Sequence, residues 1–399
     1  MIPQVPELFE AMDRTDPQPA RFLEGTYRFL NRVSSPYWRQ VRDEMEMWLS
    51  HVPHPHRKDL RERLASGNDG QFNGAYLELY LHESFLRLGG EVLIHPDTPS
   101  GRHPDFLVRD DVQEFYVEAR SILQQSDADR AKGGRQAALY DALQALNSPN
   151  FFLWIDVQEI GPDDLPKRPL VRALERWLAT LNPDEEQERL TRYTTLYVLK
   201  QFEWSDRGWT VSFRAIPKSL PARGHDGIRP LGMFGGLDVD VVDGVGPLKR
   251  ALLEKGNAYG ALERPFIIAL GVDWFTARDD FDITGALFGT SQLQFSPATG
   301  ATRHTRAGDG FWFGGDRWLR THVTGVLQVN NLQPALFASA SPTLWLHPEP
   351  ARPMVPPEVW SVMDPTNGQM VRREARRSHP DLFGIPEGWP VGVPFPEGS

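Results

Sequence analysis

The chain of 399 residues is 40% hydrophobic and 24% charged, which predicts a globular protein of two or three domains and excludes a wholly disordered or collagen-like one. It contains no cysteine, so disulfides, thiolate metal sites, iron–sulfur clusters and cysteine nucleophiles are excluded, and the composition fits a cytoplasmic location. A formal net charge of −10 means that the molecule as a whole repels polyanions, so binding of nucleic acid needs a local basic surface.

The N-terminal region, residues 1–68, is predicted to be helical. Its start, MIPQVPELFEAMDRTDP, is acidic and lacks the basic region and apolar core of a secretory signal. Between residues 20 and 65, apolar residues recur every three or four positions between prolines, which indicates two or three amphipathic helices. No stretch of the chain is apolar and long enough to predict a membrane-spanning helix, so we expect no membrane partner.

Residues 69–188 predict a helix followed by strands. The segment Asn73–Leu88 has the apolar density of a helix that is buried on most sides, and Gly89 and Gly90 end it. Short apolar runs and then strict alternation predict three strands, over 91–95, 105–109 and 114–120. The remainder predicts a helix, a buried strand and an amphipathic helix, over 135–146, 150–157 and 169–181. This order indicates an α/β fold with mixed strand directions.

The C-terminal half predicts a second domain and a tail. Over 189–348, strands are expected in the runs YTTLYVLKQFEW, WTVSFRAI, PFIIALGV, TGVLQV and TLWLHP, and a helix near 247–255. This segment therefore predicts a second α/β or α+β domain. Residues 349–399 are rich in proline and include four arginines between 372 and 377, so we expect an irregular tail on the surface.

Two acidic residues are predicted to meet on neighbouring strands. Alternation in the strand 114–120 places Glu118 and Arg120 on one face. A turn at Asp110 and Asp111 folds the strand 105–109 back beside it, so we expect Asp105 to approach Glu118. Like charges at close range resist joint ionisation, and a divalent cation would resolve their repulsion.

The residue types at this hairpin favour magnesium. Two or three carboxylates, together with water and phosphate, form the oxygen ligand set that Mg²⁺ prefers, with Mn²⁺ as the alternative. A cation bound there would polarise a phosphoryl oxygen and lower the pKa of an attacking water. The pattern therefore predicts hydrolysis of phosphodiester bonds.

The order of these residues resembles the PD-(D/E)XK, or restriction-endonuclease-like, nuclease superfamily. The superfamily pattern is an acidic residue on a helix, a strand, a Pro-Asp pair and then Glu-x-Lys on the next hairpin strand. The matching positions are Glu78, Pro104-Asp105 and Glu118-Ala119-Arg120, and the resemblance covers about residues 70–160. It implies a fold in which helices flank a mixed sheet, and it implies that the protein cuts nucleic acid with Mg²⁺. The strings ELYLHE and PDFLV…YVEA also resemble a set of uncharacterised bacterial proteins.

The resemblance implies a role for each matching residue. Asp105 and Glu118 would hold the metal, and Glu78 would be an auxiliary ligand or would orient the others. Arg120 stands where the superfamily has lysine, and a guanidinium that stays protonated cannot act as a base. It can instead grip the scissile phosphate or stabilise the charge that develops there.

Further candidates lie on the two helices around the hairpin. Gln136 and Tyr140 match the Q-x-x-x-Y element of the RecB-like branch, and with Arg135 they are candidate substrate-binding residues. His82, one turn after Glu78, is expected to be a hydrogen-bonded, half-buried side chain or a second contact to the site. Glu83 is predicted to face solvent.

The charge of the candidate nuclease segment opposes this interpretation. Residues 66–160 contain 15 acidic and 7 basic residues, whereas binding of a phosphate backbone needs clustered positive charge. A basic rim would have to come from Arg130, Lys132 and Arg135, from the arginines of the N-terminal helices or from those at 372–377.

Several functions therefore stay open. The first is a Mg²⁺-dependent nuclease with DNA as the expected substrate, whose C-terminal half selects the substrate, binds a protein partner or forms a homo-oligomer. The second is a catalytically degenerate module that binds protein or nucleic acid, with Arg120 paired to Glu118. The third is an unrelated enzyme with its pocket in 190–348, a segment in which no motif assigns a chemistry.

Overall fold

The computed structural model describes the chain except for residues 1–6, 22–23, 123–134, 136–137, 141, 144–145, 194–195, 225–230, 236–244, 261, 273–279, 296–301, 331, 367–368 and 396–399. The chain forms two units. The first comprises residues 1–19, 25–124 and 243–399, and the second comprises residues 20–24 and 125–242.

Helices come first along the chain and are followed by strands mixed with further helices. The helices in the described residues are α1 (Thr26–Arg32), α2 (Pro36–His51), α3 (His54–Leu64), α4 (Asp69–Arg87), α5 (Lys167–Leu178), α6 (Pro183–Tyr193), α7 (Val245–Gly256), α8 (Asp280–Phe288) and α9 (His379–Phe383). The strands are β1 (Glu91–Ile94), β2 (Phe106–Arg109), β3 (Glu114–Ile122), β4 (Phe151–Glu159), β5 (Gln201–Asp206), β6 (Trp209–Pro217), β7 (Leu231–Gly235), β8 (Phe266–Val272), β9 (Ser291–Phe295), β10 (Thr302–Arg306), β11 (Gly325–Asn330), β12 (Thr343–Leu346), β13 (Ser361–Thr366) and β14 (Gln369–Arg373).

An eight-stranded mixed sheet is the centre of the first unit. Its strand order is β1-β2-β3-β8-β11-β12-β13-β14. The central strands β3, β8 and β11 run parallel, whereas β1, β2 and β3 form an antiparallel meander. The structure thus confirms a mixed α/β fold with a large mixed sheet flanked by helices.

Helices cover both faces of this sheet. Apolar residues of α1 to α4 and α9 pack in one buried cluster with Phe115, Val117 and Ile267. Apolar residues of α7 and α8 pack in a second cluster with Tyr116, Phe266 and Ile268 on the opposite face. Because side chains alternate along a strand, Glu118 projects to the same face as Tyr116, as predicted. None of the helices in the described ranges is both long and apolar enough to cross a bilayer.

Local interactions explain why α4 and the hairpin form where they do. The Asn68 side chain accepts hydrogen bonds from the amides of Gly70 and Gln71 and so caps the start of α4. Gly89 follows the helix with φ +86°, a left-handed conformation that glycine adopts without steric cost. In the β2–β3 turn, Asp110 Oδ1 accepts hydrogen bonds of 2.8 Å from the amides of Val112 and Gln113, which holds the hairpin closed.

The eight-stranded sheet contains strands from three of the segments that the sequence analysis treated as separate regions. Strands β1 to β3 come from 69–188, β8, β11 and β12 come from 189–348, and β13 and β14 come from 349–399. The prediction of an irregular tail was therefore wrong. Of the ten prolines in 349–399, four precede β13 and five follow β14, and Pro365 lies in β13 beyond the part that pairs with β12.

The second unit has its own sheet and core. Its four strands are ordered β5-β6-β4-β7, and apolar side chains of β4, β6 and α5 pack together as one buried cluster. The strand predicted over 150–157 and the helix predicted over 169–181 are confirmed as β4 and α5. The run YTTLYVLKQFEW begins in α6 and a 3₁₀ turn, and only its end belongs to β5, so the expectation of a strand throughout was wrong.

Candidate active site

Asp105 lies immediately before β2, where the hairpin brings it beside β3. Phe106 pairs with Val117 in the antiparallel register, so Asp105 is the next residue outward, next to Glu118 and Ala119. The Ala119 amide donates a hydrogen bond of 2.7 Å to Asp105 Oδ2. The hairpin therefore brings Asp105 to the strand that carries Glu118, as the sequence predicted.

The environment of Asp105 opposes ionisation. Burial, and then the negative charges of Glu118 and Glu78, raise the pKa of Asp105 from 3.8 to about 8. The Ala119 hydrogen bond and the charge of Lys255 act in the opposite direction but do not outweigh them. The three carboxylates are thus close enough to interact, and the protein supplies less positive charge than they need.

Glu118 is buried, with a residue exposure of 2%, and both of its carboxylate oxygens have partners. Lys255 Nζ on α7 donates to Oε1. The Tyr259 hydroxyl donates to Oε2 at 2.5 Å, and burial together with this bond raises the pKa of Tyr259. A buried carboxylate is stable only when it is paired and hydrogen-bonded, and these two contacts meet that need.

Lys255 and Tyr259 were not among the residues predicted from the sequence. They follow Glu118 by 137 and 141 residues. The helix α7 and the strand β8 that follows it were both predicted, but their place beside β3 depends on the parallel β3–β8 pairing. The available signal was a lysine in the last turn of a predicted helix, where cations interact favourably with the helix dipole.

Glu78 lies on α4 and forms a two-pronged ion pair with Arg63 on α3. Arg63 Nη1 and Nη2 donate to its two carboxylate oxygens at 2.7 and 2.5 Å, and Arg63 Nε donates to Asp59 at 3.0 Å. Glu78 therefore contributes charge near Asp105, while its own oxygens bind a guanidinium. Its role as an auxiliary metal ligand remains a prediction.

Two neighbours of Glu78 differ from expectation. Glu83 was predicted to face solvent, but its exposure is 1%. Its carboxylate can be buried because it accepts a hydrogen bond of 2.6 Å from Arg87 Nε and contacts His51 Nδ1 at 2.8 Å. His82 has an exposure of 2%, and its Nδ1 atom has no hydrogen-bond partner among the described residues. It is therefore more deeply buried than the half-buried side chain that was expected.

Arg120 lies two residues beyond Glu118 on the same face of β3. Its side chain is 45% exposed, and Nη2 lies 3.3 Å from Glu254 Oε2 on α7. The pairing of Arg120 with Glu118, expected for a degenerate module, is replaced by two pairs: Arg120 with Glu254, and Lys255 with Glu118. An exposed pair of this kind is weak, so the guanidinium remains available to an anionic ligand.

The predicted substrate-binding residues belong to the second unit. Arg135 and Tyr140 lie in its helical residues, whereas Asp105 and Glu118 lie in the first unit. Gln136, Arg130 and Lys132 lie outside the described residues. The roles of Gln136, Tyr140 and Arg135 stay predictions.

Two carboxylates of the hairpin, Asp105 and Glu118, are the residues predicted to hold a metal. The described part of the chain contains no cluster of three or more His, Cys, Asp or Glu side chains arranged to hold a metal ion. Mg²⁺, however, is commonly bound through one or two carboxylates, with waters and substrate phosphates completing its shell. Burial, and then the charges of Glu118 and Glu78, raise the pKa of Asp105, so a nearby cation would favour its charged form. The donor set of Asp105 and Glu118 therefore fits a divalent cation.

Comparisons with protein-family models, with curated proteins and with solved structures returned no match.

Replacing Asp105 by asparagine should stabilise the protein at high pH. Because the folded-state pKa is raised to about 8, the folded chain retains a proton that the unfolded chain releases above about pH 4. The free energy of unfolding therefore falls as pH rises through that window. Asp105→Asn imitates the protonated carboxyl, so urea denaturation should show a gain of at least about 1 kcal/mol at about pH 9 and almost none at about pH 4.

The control is Asp97→Asn, at a side chain that is 99% exposed, which should have little effect at either pH. A destabilised Asp105→Asn variant at high pH, or a gain that does not depend on pH, would contradict the predicted charge surplus.

Removing Lys255 should cost far more than removing a surface lysine. Lys255→Met leaves Glu118 buried without its cation, which typically costs about 3–5 kcal/mol in the free energy of unfolding. The matched control is Lys249→Met on the same helix, which breaks an exposed pair with Asp309 and should cost less than about 1 kcal/mol. Adding Glu118→Gln to Lys255→Met should recover most of the loss. Equal costs for the two methionine variants would show that the buried pair is not formed.

Proposed function

We propose that this protein is a Mg²⁺-dependent nuclease with a restriction-endonuclease-like core, in which Asp105 and Glu118 hold the cation. The observation that carries the proposal is the pair of hairpin carboxylates with too little positive charge, beside a lysine bonded to one of them. Two carboxylates with a nearby cation can supply metal ligands and a positive charge for the phosphate in metal-assisted phosphodiester hydrolysis. When bound, the ion would polarise a phosphoryl oxygen and lower the pKa of a water molecule.

Lys255 takes the part that the lysine of the superfamily pattern plays. Position 120 is arginine, but Lys255 Nζ reaches the Glu118 carboxylate from the neighbouring helix. An ammonium there places a positive charge at the carboxylate pair, where it can hold a phosphate oxygen or orient a water. The arginine in the motif therefore does not by itself argue against catalysis.

Tyr259 fixes the position of Glu118. Its hydroxyl donates to Glu118 Oε2 and also lies 3.4 Å from the carbonyl oxygen of His103 in the loop before Asp105. The Tyr259 side chain thus bonds the strand that carries Glu118 and lies against the loop that leads to Asp105. We assign it the role of a positioning residue, which preserves the separation of the two carboxylates.

Basic groups around the pair counter the acidic composition of the segment. Arg120 is half-exposed on the same strand face as Glu118, and it lies 3.3 Å from Glu254 on the neighbouring helix. Arg120 and Lys255 are therefore the cations to which we assign the contact with the substrate. A phosphodiester backbone needs such contacts in order to approach a protein of net negative charge.

A catalytically degenerate module that binds protein or nucleic acid is the second candidate function. Both Glu118 oxygens and both Glu78 oxygens already have cationic or hydroxyl partners in the protein. A protein that needs no metal would satisfy its buried carboxylates in this way. The two functions therefore differ in whether a cation displaces these contacts.

Incubation with nucleic acid and metal distinguishes the two functions. Plasmid, linear duplex, single-stranded DNA and RNA, each with Mg²⁺ or Mn²⁺, should reveal a substrate that the chain cleaves. Asp105→Asn and Glu118→Gln should abolish cleavage because each removes a proposed ligand. Lys255→Met should slow it by at least about 100-fold because it removes a charge that stabilises the reacting phosphate.

Lys249→Met is the matched control on the same helix and should cleave at the native rate. Cleavage that survives both carboxylate substitutions would overturn the assigned site. Binding without cleavage of any substrate would favour the degenerate module.

A further inference from the structure

The four-stranded sheet of the second unit has a face that is not fully buried. Leu153 and Ile155 of β4 and Phe213 of β6 are buried in the apolar cluster on the opposite face. Side chains alternate along a strand, so Trp154 and Arg214, which pair in the β4–β6 register, project away from that cluster, and both are only half-buried. An indole ring and a guanidinium thus reach the surface side by side in the middle of this sheet.

Trp154, Tyr197 and Arg214 form a group on this face that we call the aromatic–arginine cluster. The Trp154 and Tyr197 rings meet edge to face, with their centroids 5.4 Å apart and their planes at 88°. The Arg214 guanidinium lies 5.4 Å from the centroid of the Trp154 ring and 5.3 Å from that of the Tyr197 ring. Tyr197 is 71% exposed. The cluster therefore presents aromatic surface and a positive charge together.

Arg214 is held in place by groups that do not neutralise its charge. Nη1 donates hydrogen bonds to the carbonyl oxygens of Tyr197 and Leu199 at 3.2 and 3.0 Å, and Nη2 donates to Gln201 Oε1 at 2.5 Å. All three acceptors are uncharged, and no carboxylate of the described residues forms an ion pair with Arg214. The guanidinium is therefore fixed in direction, and its charge remains for an anionic ligand.

The chemistry of the cluster restricts what it can bind. Arg214 would repel a cationic ligand, and an uncharged apolar ligand would leave the guanidinium without a counter-charge. Asp156 and Glu203 lie on the same face one row away, each opposite Ser212 in the register, so the anionic part of a ligand must lie on the side of Arg214. A ligand with planar rings and a negative charge between them fits this arrangement, and a chain of nucleotides has that chemistry.

We infer that the aromatic–arginine cluster binds single-stranded nucleic acid, with bases stacked on the Tyr197 and Trp154 rings and a phosphate bound by Arg214. The inference rests on the proposed nuclease function and deepens it, because it names unpaired strands as the substrate class. In a duplex the faces of the bases are covered by neighbouring bases, so only an unpaired strand can offer them to the two rings. Every base has such a face, so the cluster should bind strands with little sequence preference.

Binding of oligonucleotides in EDTA tests the cluster without any catalysis. A labelled oligothymidylate of about 16 nucleotides is titrated with the full chain and followed by fluorescence anisotropy. It should bind saturably, and a duplex of the same length should bind at least about tenfold more weakly. An abasic phosphodiester chain of the same length, which keeps the phosphates but lacks the rings, should also bind at least about tenfold more weakly. With one phosphate at Arg214, the logarithm of the association constant should fall with the logarithm of salt concentration with a slope of about −0.7.

Tyr197→Ser should weaken binding of the oligothymidylate at least about tenfold because it removes the exposed ring. Tyr197→Phe keeps the ring and should bind as the native chain does. Arg214→Gln should weaken binding and remove most of its salt dependence because it removes the charge that contacts the phosphate. The matched control is Tyr193→Ser, at a tyrosine on α6 that is 57% exposed and lies outside the cluster, and it should leave binding unchanged.

No saturable binding of the oligothymidylate would overturn the inference and would point to a protein as the ligand of this face. Binding that neither Tyr197→Ser nor Arg214→Gln weakens would overturn it as well. Cleavage of nucleic acid by a chain that fails these tests would leave the proposed nuclease function standing and remove only this binding surface. Binding through the cluster in a chain that cleaves nothing would support the inference and count against catalysis.

Discussion

The candidate site of this protein depends on two neighbouring carboxyl groups, those of Asp105 and Glu118, which have too few cations beside them. Glu118 is buried and stable because an ammonium and a hydroxyl satisfy its oxygens. Asp105 has a backbone amide as its partner, and its pKa is raised to about 8 because burial and its acidic neighbours disfavour the charged form. Folding of the hairpin thus brings the carboxyl groups of Asp105 and Glu118 together, and a cation or a proton must neutralise the negative charge of Asp105.

The parallel pairing of β3 with β8 brings the partners of Glu118 to the carboxylate pair. It places α7, the helix that precedes β8, next to the face of β3 that carries Glu118. Lys255 and Tyr259 thereby complete a site whose carboxylates lie far earlier in the chain. The motif and its cation come from separate segments of the sequence, so the site exists only when the eight-stranded sheet is assembled.

Local rules explain what the sequence could predict. The turn chemistry at Asp110 predicts the hairpin, and alternation places Glu118 on one face, so the approach of Asp105 to Glu118 follows from residues close along the chain. Helix α4 and strands β3 and β8 are predictable for the same reason. These features need no knowledge of how distant segments pair.

Tertiary pairing explains what the sequence could not predict. The role of Lys255 depends on a strand neighbour that periodicity cannot identify. Glu83 looks like a surface acid until Arg87 and His51 are seen to pair with it. The last two strands form in a proline-rich region whose composition did not predict them. Pairing with neighbouring strands holds them in the sheet. Ion pairs and sheet order are properties of the assembled fold.

Calorimetric titration with Mg²⁺ in buffers of different ionisation enthalpy tests the central claim most directly. If the carboxylate pair is a cation site, binding at about pH 7 must release close to one proton into the buffer. Asp105 holds a proton below its raised pKa, and the bound metal displaces that proton. Saturable binding with this proton release, absent in Asp105→Asn, is the predicted result. Absence of binding, or binding without proton release that persists in Asp105→Asn, would contradict the claim.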